Sequence, residues 1–556
     1  MPTTSARAEA GRLPLDDSTR YLAAAAHLDR HFADEAIREF LVEPTRQIPM
    51  TPGLDAPVVL TEAIAARSRR MYRDGLLALL TIVFLATSLG SPLLATWLSW
   101  AGMLSVRPIW KHARWGAPGT AVFVFLKLAA IFLLVAISWT FMVAVLVFEA
   151  SLQPSSSFTG LVNPTSIISA VVMLVILVID RIVVWQTVVL YFGRRARVPG
   201  PVARPPANRP SFTYSPPKFR KMLDWHRQGH QPESADARVP LVVYRGRNPF
   251  VGAGPNVAPW SLALPLEPGG KAKTDEPLTT SCFYQAVGKA VAELQENTTL
   301  SPDQRLRELK TEGIVFAPAE GLIGHVNDPA VAPYLPNILR RPVHYLPTDE
   351  ATRVFHHSRE WSRYYLSFQV ETWDRELVLS AFLHAAVEKS TLYLEWTPCV
   401  LPPIREEYRA VDKMTNNLLR PIWQGVLRWV RLPVTGLGRF WHTVKLILPL
   451  PHDHYTLNAD RYGSALTLRE LGAADSPRDY FQVVDVDRYG KLLESRLVPA
   501  ISKVLSDAGY SPASFEQRMA SVTNNVTING TNTAPMVLAG SIGGDVTTGG
   551  APSPGS

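Results

Sequence analysis

The sequence predicts a multi-pass α-helical membrane protein with a cytosolic α+β domain and a disordered C-terminal tail. Three observations predict this class. Apolar tracts fill residues 75–104, 121–148 and 167–192, and each exceeds the roughly 20 residues with which a helix crosses about 30 Å of hydrocarbon. Short segments rich in aromatic and β-branched residues recur from Val239 onward, as in strands. Residues 522–556 are rich in Asn, Thr and Gly and carry almost no charge.

Positively charged side chains beside the apolar tracts predict the orientation. They cluster before residue 75, within residues 105–118 and after residue 193, whereas residues 149–165 contain neither lysine nor arginine. The positive-inside rule therefore places residues 149–165 outside and both termini in the cytosol, with the plasma membrane as the location. A formal net charge of +8 is compatible with nucleic-acid binding. Because the basic residues lie beside the membrane tracts, the expected partners are the lipid bilayer and anionic lipid headgroups, and no nucleic acid is expected.

The first apolar tract must begin and end on the same side of the membrane if this orientation holds. Gly90-Ser91-Pro92 interrupts the tract near its middle, and a proline there removes a helix hydrogen bond. The sequence therefore predicts a hairpin over residues 75–104, followed by helices over 119–148 and 166–192. One long, kinked crossing, which would leave the N-terminus outside, is the alternative.

Three charged residues fall inside the predicted transmembrane helices: Lys127, Asp180 and Arg181. Charges at that depth are costly, so they either line an ion or proton path or pair with one another. A single acid does not form a proton relay, and transport sites usually combine several polar groups. The sequence therefore favours pairing of Asp180 with Lys127 or with Arg181.

The remaining segments are assigned by composition and periodicity. In chain order the predicted parts are a cytosolic N-terminal helical segment (1–74), the transmembrane region (75–193), a Pro/Arg-rich linker (194–238), the cytosolic α+β domain (239–410), a basic amphipathic segment (411–451), a helical C-terminal segment (452–521) and the tail (522–556). Residues 16–43 predict one amphipathic helix. The α+β domain predicts an antiparallel sheet, a hairpin turn at Glu388-Lys389-Ser390 and helices at 281–295 and 301–312.

The basic segment has the composition of a helix that lies in a membrane interface. No Asp or Glu occurs between Asp412 and Asp453, and apolar residues and tryptophans alternate with arginines at helical spacing. A helix packed on the soluble core with a solvated basic face is the alternative. The predicted interfacial residues are Arg420, Trp423, Arg428, Trp429, Arg431, Trp441 and Lys445.

No motif predicts a catalytic residue, a cofactor or a metal ion. The G-x-G of residues 252–254 follows a predicted strand, but Val257 stands where a dinucleotide fingerprint needs a third glycine, so a turn is predicted. His452-Asp453-His454 is too short a pattern to define a metal site. Cys282 and Cys399 lie far apart. The sequence therefore favours a non-enzymatic protein and predicts no catalytic, cofactor-binding or metal-binding residue.

Two resemblances add to these patterns. The tail, with Asn524–Gly530 and then Val537–Val546, resembles short bacterial amyloid-signalling motifs, which implies self-assembly by cross-β stacking. A plain disordered tail is the alternative. The implied self-assembly residues are Val537, Leu538, Ala539, Gly540, Ile542 and Val546.

The second resemblance covers most of residues 240–546. Residues 248–254 with Trp260-Ser261, residues 485–505 and the Asn/Gly-rich tail are similar to an uncharacterised family of actinobacterial multi-pass membrane proteins. The resemblance implies a membrane location and supplies no activity.

The leading hypothesis is a non-enzymatic sensor or scaffold that acts through its cytosolic domain. A membrane-perturbing or channel-like effector, and a membrane-tethered enzyme without a recognisable motif, are the alternatives. The sequence leaves the protein partner open, and it also leaves open whether the chain forms a homo-oligomer.

Overall fold

A computed structural model gives the fold. It describes residues 16–49, 53–88, 91–111, 120–152, 163–193, 217–228, 237–269, 278–295, 306, 309–373, 375–388, 390–447 and 457–520.

The described chain combines many helices with one sheet. In chain order the α-helices are α1 (Asp17–Leu28), α2 (Arg30–Ile37), α3 (Ala56–Ser88), α4 (Pro92–Lys111), α5 (Thr120–Leu152), α6 (Pro164–Thr187), α7 (Pro217–Gln228), α8 (Thr280–Ala292), α9 (Ala319–Gly324), α10 (Thr348–His356), α11 (Glu406–Arg409), α12 (Leu419–Val430), α13 (Leu432–Ile447), α14 (Leu468–Gly472) and α15 (Tyr480–Asp507). The strands are β1 (Ala237–Tyr244), β2 (Trp260–Pro265), β3 (Leu309–Pro318), β4 (Tyr345–Pro347), β5 (Arg363–Thr372), β6 (Leu377–Glu388) and β7 (Thr391–Leu401). Turns of π-helix, Arg38–Val42 and Val188–Phe192, follow α2 and α6.

The chain divides into two compact units whose sequences interleave. The first unit takes residues 1–39, 55–223 and 407–456, and the second takes residues 40–54, 224–406 and 457–556. Helices of the apolar tracts belong to the first unit and the sheet belongs to the second.

Among the described residues of the first unit, three helices are long and apolar enough to cross a membrane. They are α3, the 124–144 part of α5, and α6 with its π-helical turn. A shorter apolar helix spans Leu93–Leu104 within α4. These lengths and compositions agree with the apolar tracts from which the transmembrane region was predicted.

The chain reverses between α3 and α4. The rings of Phe84 and Trp97 lie 5.0 Å apart, although 13 residues of continuous helix would separate them by about 20 Å. Helix α3 ends at Ser88 and α4 begins at Pro92, a position that suits proline because its missing N–H is not needed in a first helical turn.

The N-terminal segment covers the end of α6. Arg20, fully buried on α1, donates to the carbonyl oxygen of Phe192 at 2.7 Å and to Oδ2 of Asp412 at 3.2 Å. The amphipathic stretch predicted over residues 16–43 is two helices, because Asp29 leaves helical geometry and caps α2 through the N–H of His31 at 2.8 Å.

The second unit is built on a seven-stranded mixed sheet in the order β2-β7-β6-β5-β3-β1-β4. The β1–β3 pair is parallel and the others are antiparallel, so the antiparallel prediction is wrong at that pair. Strands β6 and β7 pair antiparallel up to Glu388 and Thr391, as the hairpin predicted there requires, and Lys389 of the predicted turn lies outside the described residues. Helices α8 and α15 bury one sheet face through Phe283, Leu497 and Ile501.

The predicted helix over residues 301–312 is wrong at its end, because β3 begins at Leu309. Strand β3 pairs with β5 on one side and with β1 on the other, so it is central in the sheet. Tertiary pairing therefore overrides the local helical pattern.

Candidate functional site

The first unit contains a polar cavity of 260 Å³ that is rich in arginine. Its walls come from α1, α2, α3, α6, α12 and α13. Seven arginines and two aspartates line it, together with one histidine and two apolar residues. The arginines are Arg30, Arg69, Arg70, Arg73, Arg181, Arg428 and Arg439.

Asp180 is held by two arginines of α3. Its Oδ1 lies 3.1 Å from Nε of Arg69, and its Oδ2 accepts from Nη1 of Arg73 at 2.9 Å. Arg181, one of the partners proposed from the sequence, instead donates to Oε1 of Gln424 at 2.8 Å. Lys127, the other, lies in α5 with its side chain outside the described atoms. Asp180 is therefore paired, with partners from a neighbouring helix.

The second aspartate of the cavity shares an arginine with the first. Asp74 Oδ1 accepts from Nε of Arg73 at 2.8 Å and lies 3.6 Å from Nη1 of Arg439. Arg70 is turned to backbone oxygens, because its Nη2 donates to Ala26 O at 2.7 Å at the end of α1. The carboxylates of the cavity thus engage Arg69, Arg73 and Arg439.

A buried histidine beside the cavity adds no positive charge. His27 Nε2 lies 2.7 Å from Oε2 of Glu62, and its Nδ1 lies 3.2 Å from Nη1 of Arg69. Because a guanidinium can only donate, Nδ1 must accept, and Nε2 carries the proton that it donates to Glu62. This arrangement fits the neutral imidazole.

Arg428 is a lining arginine that no carboxylate contacts directly among the described residues. Among the described residues it makes no hydrogen bond and no ion pair. Burial, followed by the charges of Arg181, Arg73 and Arg439, lowers its pKa, and burial likewise lowers the pKa of Arg439. The cavity therefore carries an excess of positive charge, with Arg428 half-buried and Nη1 of Arg70 buried without a hydrogen-bond partner among the described residues.

The predicted interfacial residues divide between exposed and inward positions. Trp423 and Trp441 are 63% and 59% exposed. Trp429 faces inward and donates from Nε1 to the carbonyl oxygen of Ala170 at 2.9 Å, and Arg428 lines the cavity. Helix α12 packs closely on α6, since a Cβ on Gly425 would lie 2.7 Å from the Cα of Val178.

The other interfacial residues are described in part. Arg420 is exposed, with its guanidinium 5.8 Å from the ring centre of Trp185, and Arg431 is half-buried. Lys445 lies in α13, with its side chain outside the described atoms. An apolar groove of 700 Å³ lies between α3, α4, α6 and α12 and is lined by Trp97, Trp100, Trp423 and Trp429, among others.

The glycine-rich segment of residues 248–254 forms a turn, as predicted, and β2 follows it. Gly254 has φ +83° and its N–H donates to Oε1 of Glu470 at 3.1 Å. The ring of Phe250 stacks on that of Phe382 at 4.4 Å. The segment therefore serves packing on the sheet face opposite α8 and α15.

Other candidates from the sequence can be placed only in part. Cys282 is exposed and Cys399 is buried. Within the ranges that the structure describes, no group of three or more His, Cys, Asp or Glu side chains is placed to hold a metal ion. Residues 452–454 and the predicted self-assembly residues of the tail lie outside those ranges.

Sequence reasoning missed most of the cavity. Arg69, Arg70 and Arg73 are among the positive charges interpreted as topology determinants, and Arg439 falls within the basic segment 411–451 without a predicted role. The available signal was the spacing of Arg69 and Arg73, four residues apart on one face of a helix that runs into an apolar tract. Two arginines on one helix face can pair with a lone intramembrane acid on a neighbouring helix.

Comparison with known protein families identifies one relationship. The model of the AbeC-like domain matches residues 259–537, from the start of β2 into the tail. Neither the curated proteins nor the solved structures contain a match. The family match supports the resemblance to an uncharacterised family, while the membrane location and actinobacterial origin that the resemblance implied stay predictions. Because the match covers just over half of the chain, the protein belongs to the AbeC-like domain family.

Proposed function

We propose that the protein is an integral plasma-membrane sensor or scaffold without enzymatic activity, which acts through the unit that contains the sheet. In this proposal the apolar helices of the first unit span or enter the bilayer, and the sheet-containing unit and both termini lie in the cytosol. The positive residues that flank the apolar tracts support this orientation.

One observation carries the membrane location: large apolar side chains are exposed along α3, α5 and α6. A soluble protein rarely exposes a contiguous apolar surface of more than a few hundred Å². Lipid tails cover such a surface at no hydrophobic cost. The most exposed of these side chains are Leu79, Ile82, Phe125, Leu126, Phe132, Leu133, Val147 and Ile168.

The packing at the end of α6 supports a position for the cavity near the cytosolic headgroups. From Pro164 to Asp180 the helix rises about 24 Å at 1.5 Å per residue. Beyond Asp180, the side chains of Val184, Val188 and Phe192 are buried, with Ala23 and Ala24 of α1 in the same cluster. In the proposal, Asp180 thus lies toward the inner boundary of the hydrocarbon, where the charged cavity costs less than at mid-span.

The pairing of Asp180 favours a sensor over a conduction path. A proton or ion path needs groups that can exchange partners, whereas Asp180 is held through both oxygens by α3. The same contacts fix α3 against α6. In the proposal, a ligand bound at the cavity changes the arrangement of these two helices, and both are linked in sequence to the second unit.

The membrane location is tested by alkaline carbonate extraction of native membranes, with a pair of matched variants. The wild-type protein should stay in the pellet and be released by detergent. Phe132→Arg places a charge on the exposed apolar surface. Because this makes the free energy of membrane insertion less favourable by about 2–3 kcal/mol, the membrane-inserted fraction should fall. Leu339→Arg, at a residue of the second unit that is equally exposed, should have no effect.

Recovery of the wild-type protein in the carbonate supernatant would contradict the proposal. So would equal behaviour of the two arginine variants, because an arginine on a water-exposed surface is harmless wherever it is placed.

A further inference from the structure

The arginine-lined cavity of the first unit has more positive charge than its own carboxylates neutralise. Asp180 and Asp74 engage Arg69, Arg73 and Arg439. Of the remaining lining arginines, Arg30 is exposed, Arg70 contacts a backbone carbonyl, Arg181 contacts an amide oxygen, and Arg428 makes no hydrogen bond within the described chain.

An excess of buried positive charge does not by itself stabilise a fold. Burying a charge without a partner costs several kcal/mol, and like charges in a poorly solvated site repel strongly. An arginine that served only packing would be replaced at no loss by an apolar or amide side chain. The excess charge therefore indicates an anion that the site takes up from outside the chain.

We propose that this cavity binds a phosphoryl group and that this group is the ligand of the membrane sensor. The inference rests on the proposed function and names the class of ligand. Planar guanidinium groups bind phosphate oxygens through two parallel hydrogen bonds, which is why arginine dominates phosphate sites that lack a metal. A volume of 260 Å³ is small beside that of pockets for drug-sized ligands, and it suits a headgroup or a small phosphate.

The phosphoryl group has two possible sources with the same chemistry. One is the headgroup of an anionic phospholipid, since the cavity lies at headgroup depth in the proposed membrane placement. The other is a soluble phosphate from the cytosol. Arg428 is the residue on which both depend, because α12 presents it into the cavity without a carboxylate partner.

The soluble source is tested on the full chain in mild detergent by titrating inorganic phosphate at constant ionic strength against chloride. At about ten times its Kd, phosphate should raise the midpoint of thermal unfolding by about 2–4 °C. Constant ionic strength removes general screening as the cause. The lipid source is tested by native mass spectrometry after reconstitution in nanodiscs of phosphatidylcholine with phosphatidic acid, where the phosphatidic acid should be retained on the protein.

Arg428→Gln is the discriminating variant. It should weaken phosphate binding, or retention of phosphatidic acid, by at least about tenfold, the equivalent of one charged hydrogen bond. Arg428→Lys, which keeps the charge and loses the planar fork, should weaken it less. Arg340→Gln removes the same charge from an exposed position of the second unit and should leave binding unchanged within about twofold.

The stability of the ligand-free protein separates a binding role from a structural one. Arg428→Gln removes a repelled charge, so without phosphate its unfolding midpoint should equal or exceed that of the wild type. If Arg428 only balanced Asp180 within the fold, the same substitution would lower it.

Two results would overturn the inference. The first is a wild-type protein that is neither stabilised by phosphate nor retains phosphatidic acid. The second is binding that Arg428→Gln leaves intact. Phosphate is titrated without a bilayer, so a failure there removes only the soluble source of the phosphoryl group. The membrane location is decided separately by carbonate extraction.

Discussion

At the scale of residues, the buried carboxylate Asp180 of the first unit is stabilised by partners that are remote in sequence. The lone acid Asp180 could be recognised as paired from the sequence because an unpaired intramembrane carboxylate is too costly. Its partners Arg69 and Arg73 could not, because helical periodicity says which residues share a face and not which helices are neighbours.

Removal of the Asp180 carboxylate should destabilise the protein strongly. Asp180→Asn leaves Arg69 and Arg73 without their shared partner, and breaking a buried ion pair costs about 3–5 kcal/mol. Denaturant unfolding in detergent measures the loss. Asp487→Asn is the control, because Asp487 pairs with Lys491 at 2.7 Å on an exposed surface and should cost less than about 1 kcal/mol. Similar losses for the two variants would contradict the buried pairing.

A carboxyl group of the second unit should produce a pH-dependent stability. Burial raises the pKa of Glu494, and the hydrogen bond from Nε1 of Trp260, 3.3 Å from Oε1, opposes that rise. The carboxyl group of Glu494 thus holds its proton more tightly in the folded state than in the unfolded state. Its contribution to stability is greatest below the unfolded pKa of about 4.3 and is lost as the pH rises through the raised folded pKa.

Glu494→Gln tests this sign, because glutamine keeps the acceptor for Trp260 and cannot ionise. The free energy of unfolding of the variant, relative to wild type, should increase from about pH 4 to about pH 8. A difference that stays constant over that range would show that Glu494 does not titrate with a raised pKa.

At the scale of elements, the local sequence predicted where helices and strands end better than it predicted which strands pair. Gly90-Ser91-Pro92 marked the reversal between α3 and α4, and the turn between β6 and β7 was also predicted. Strand β3 was missed because Lys310, Glu312 and Gly313 interrupt any two-residue alternation, and its identity comes from pairing with β5 and β1.

The glycine-rich turn before β2 should tolerate no side chain at its last glycine. Gly254 has φ +83°, and a Cβ there would collide with the carbonyl oxygen of Val400. Gly254→Ala should therefore lose roughly 3–5 kcal/mol of stability, from backbone strain together with the clash. Gly246 has the same backbone geometry, φ +84°, with nothing within 4 Å of a built Cβ. Gly246→Ala should lose only about 1–2 kcal/mol, so equal losses in thermal unfolding would contradict this account.

At the scale of the whole molecule, the two units take segments from both ends of the chain. The sequence separated apolar tracts from strand-rich segments correctly. It did not predict that residues 407–456 return to the helical unit or that residues 40–54 join the sheet unit. Within the second unit, Gln47 donates to the carbonyl oxygens of Leu241 and Val343 at 2.7 and 2.8 Å. Hydrogen bonds from one side-chain amide to backbone oxygens leave no compositional signal in the segment that provides them.

The central claim is that the helical unit lies in the membrane, with both termini and the sheet-containing unit in the cytosol. Single cysteines at Thr3, Ser105 and Ser156, in a chain with its own two cysteines replaced by serine, test it most directly by labelling intact cells with a membrane-impermeant maleimide. The account predicts labelling at Ser156 alone, with Thr3 and Ser105 labelled only after the membrane is permeabilised. Labelling of Thr3 or Ser105 in intact cells would contradict it.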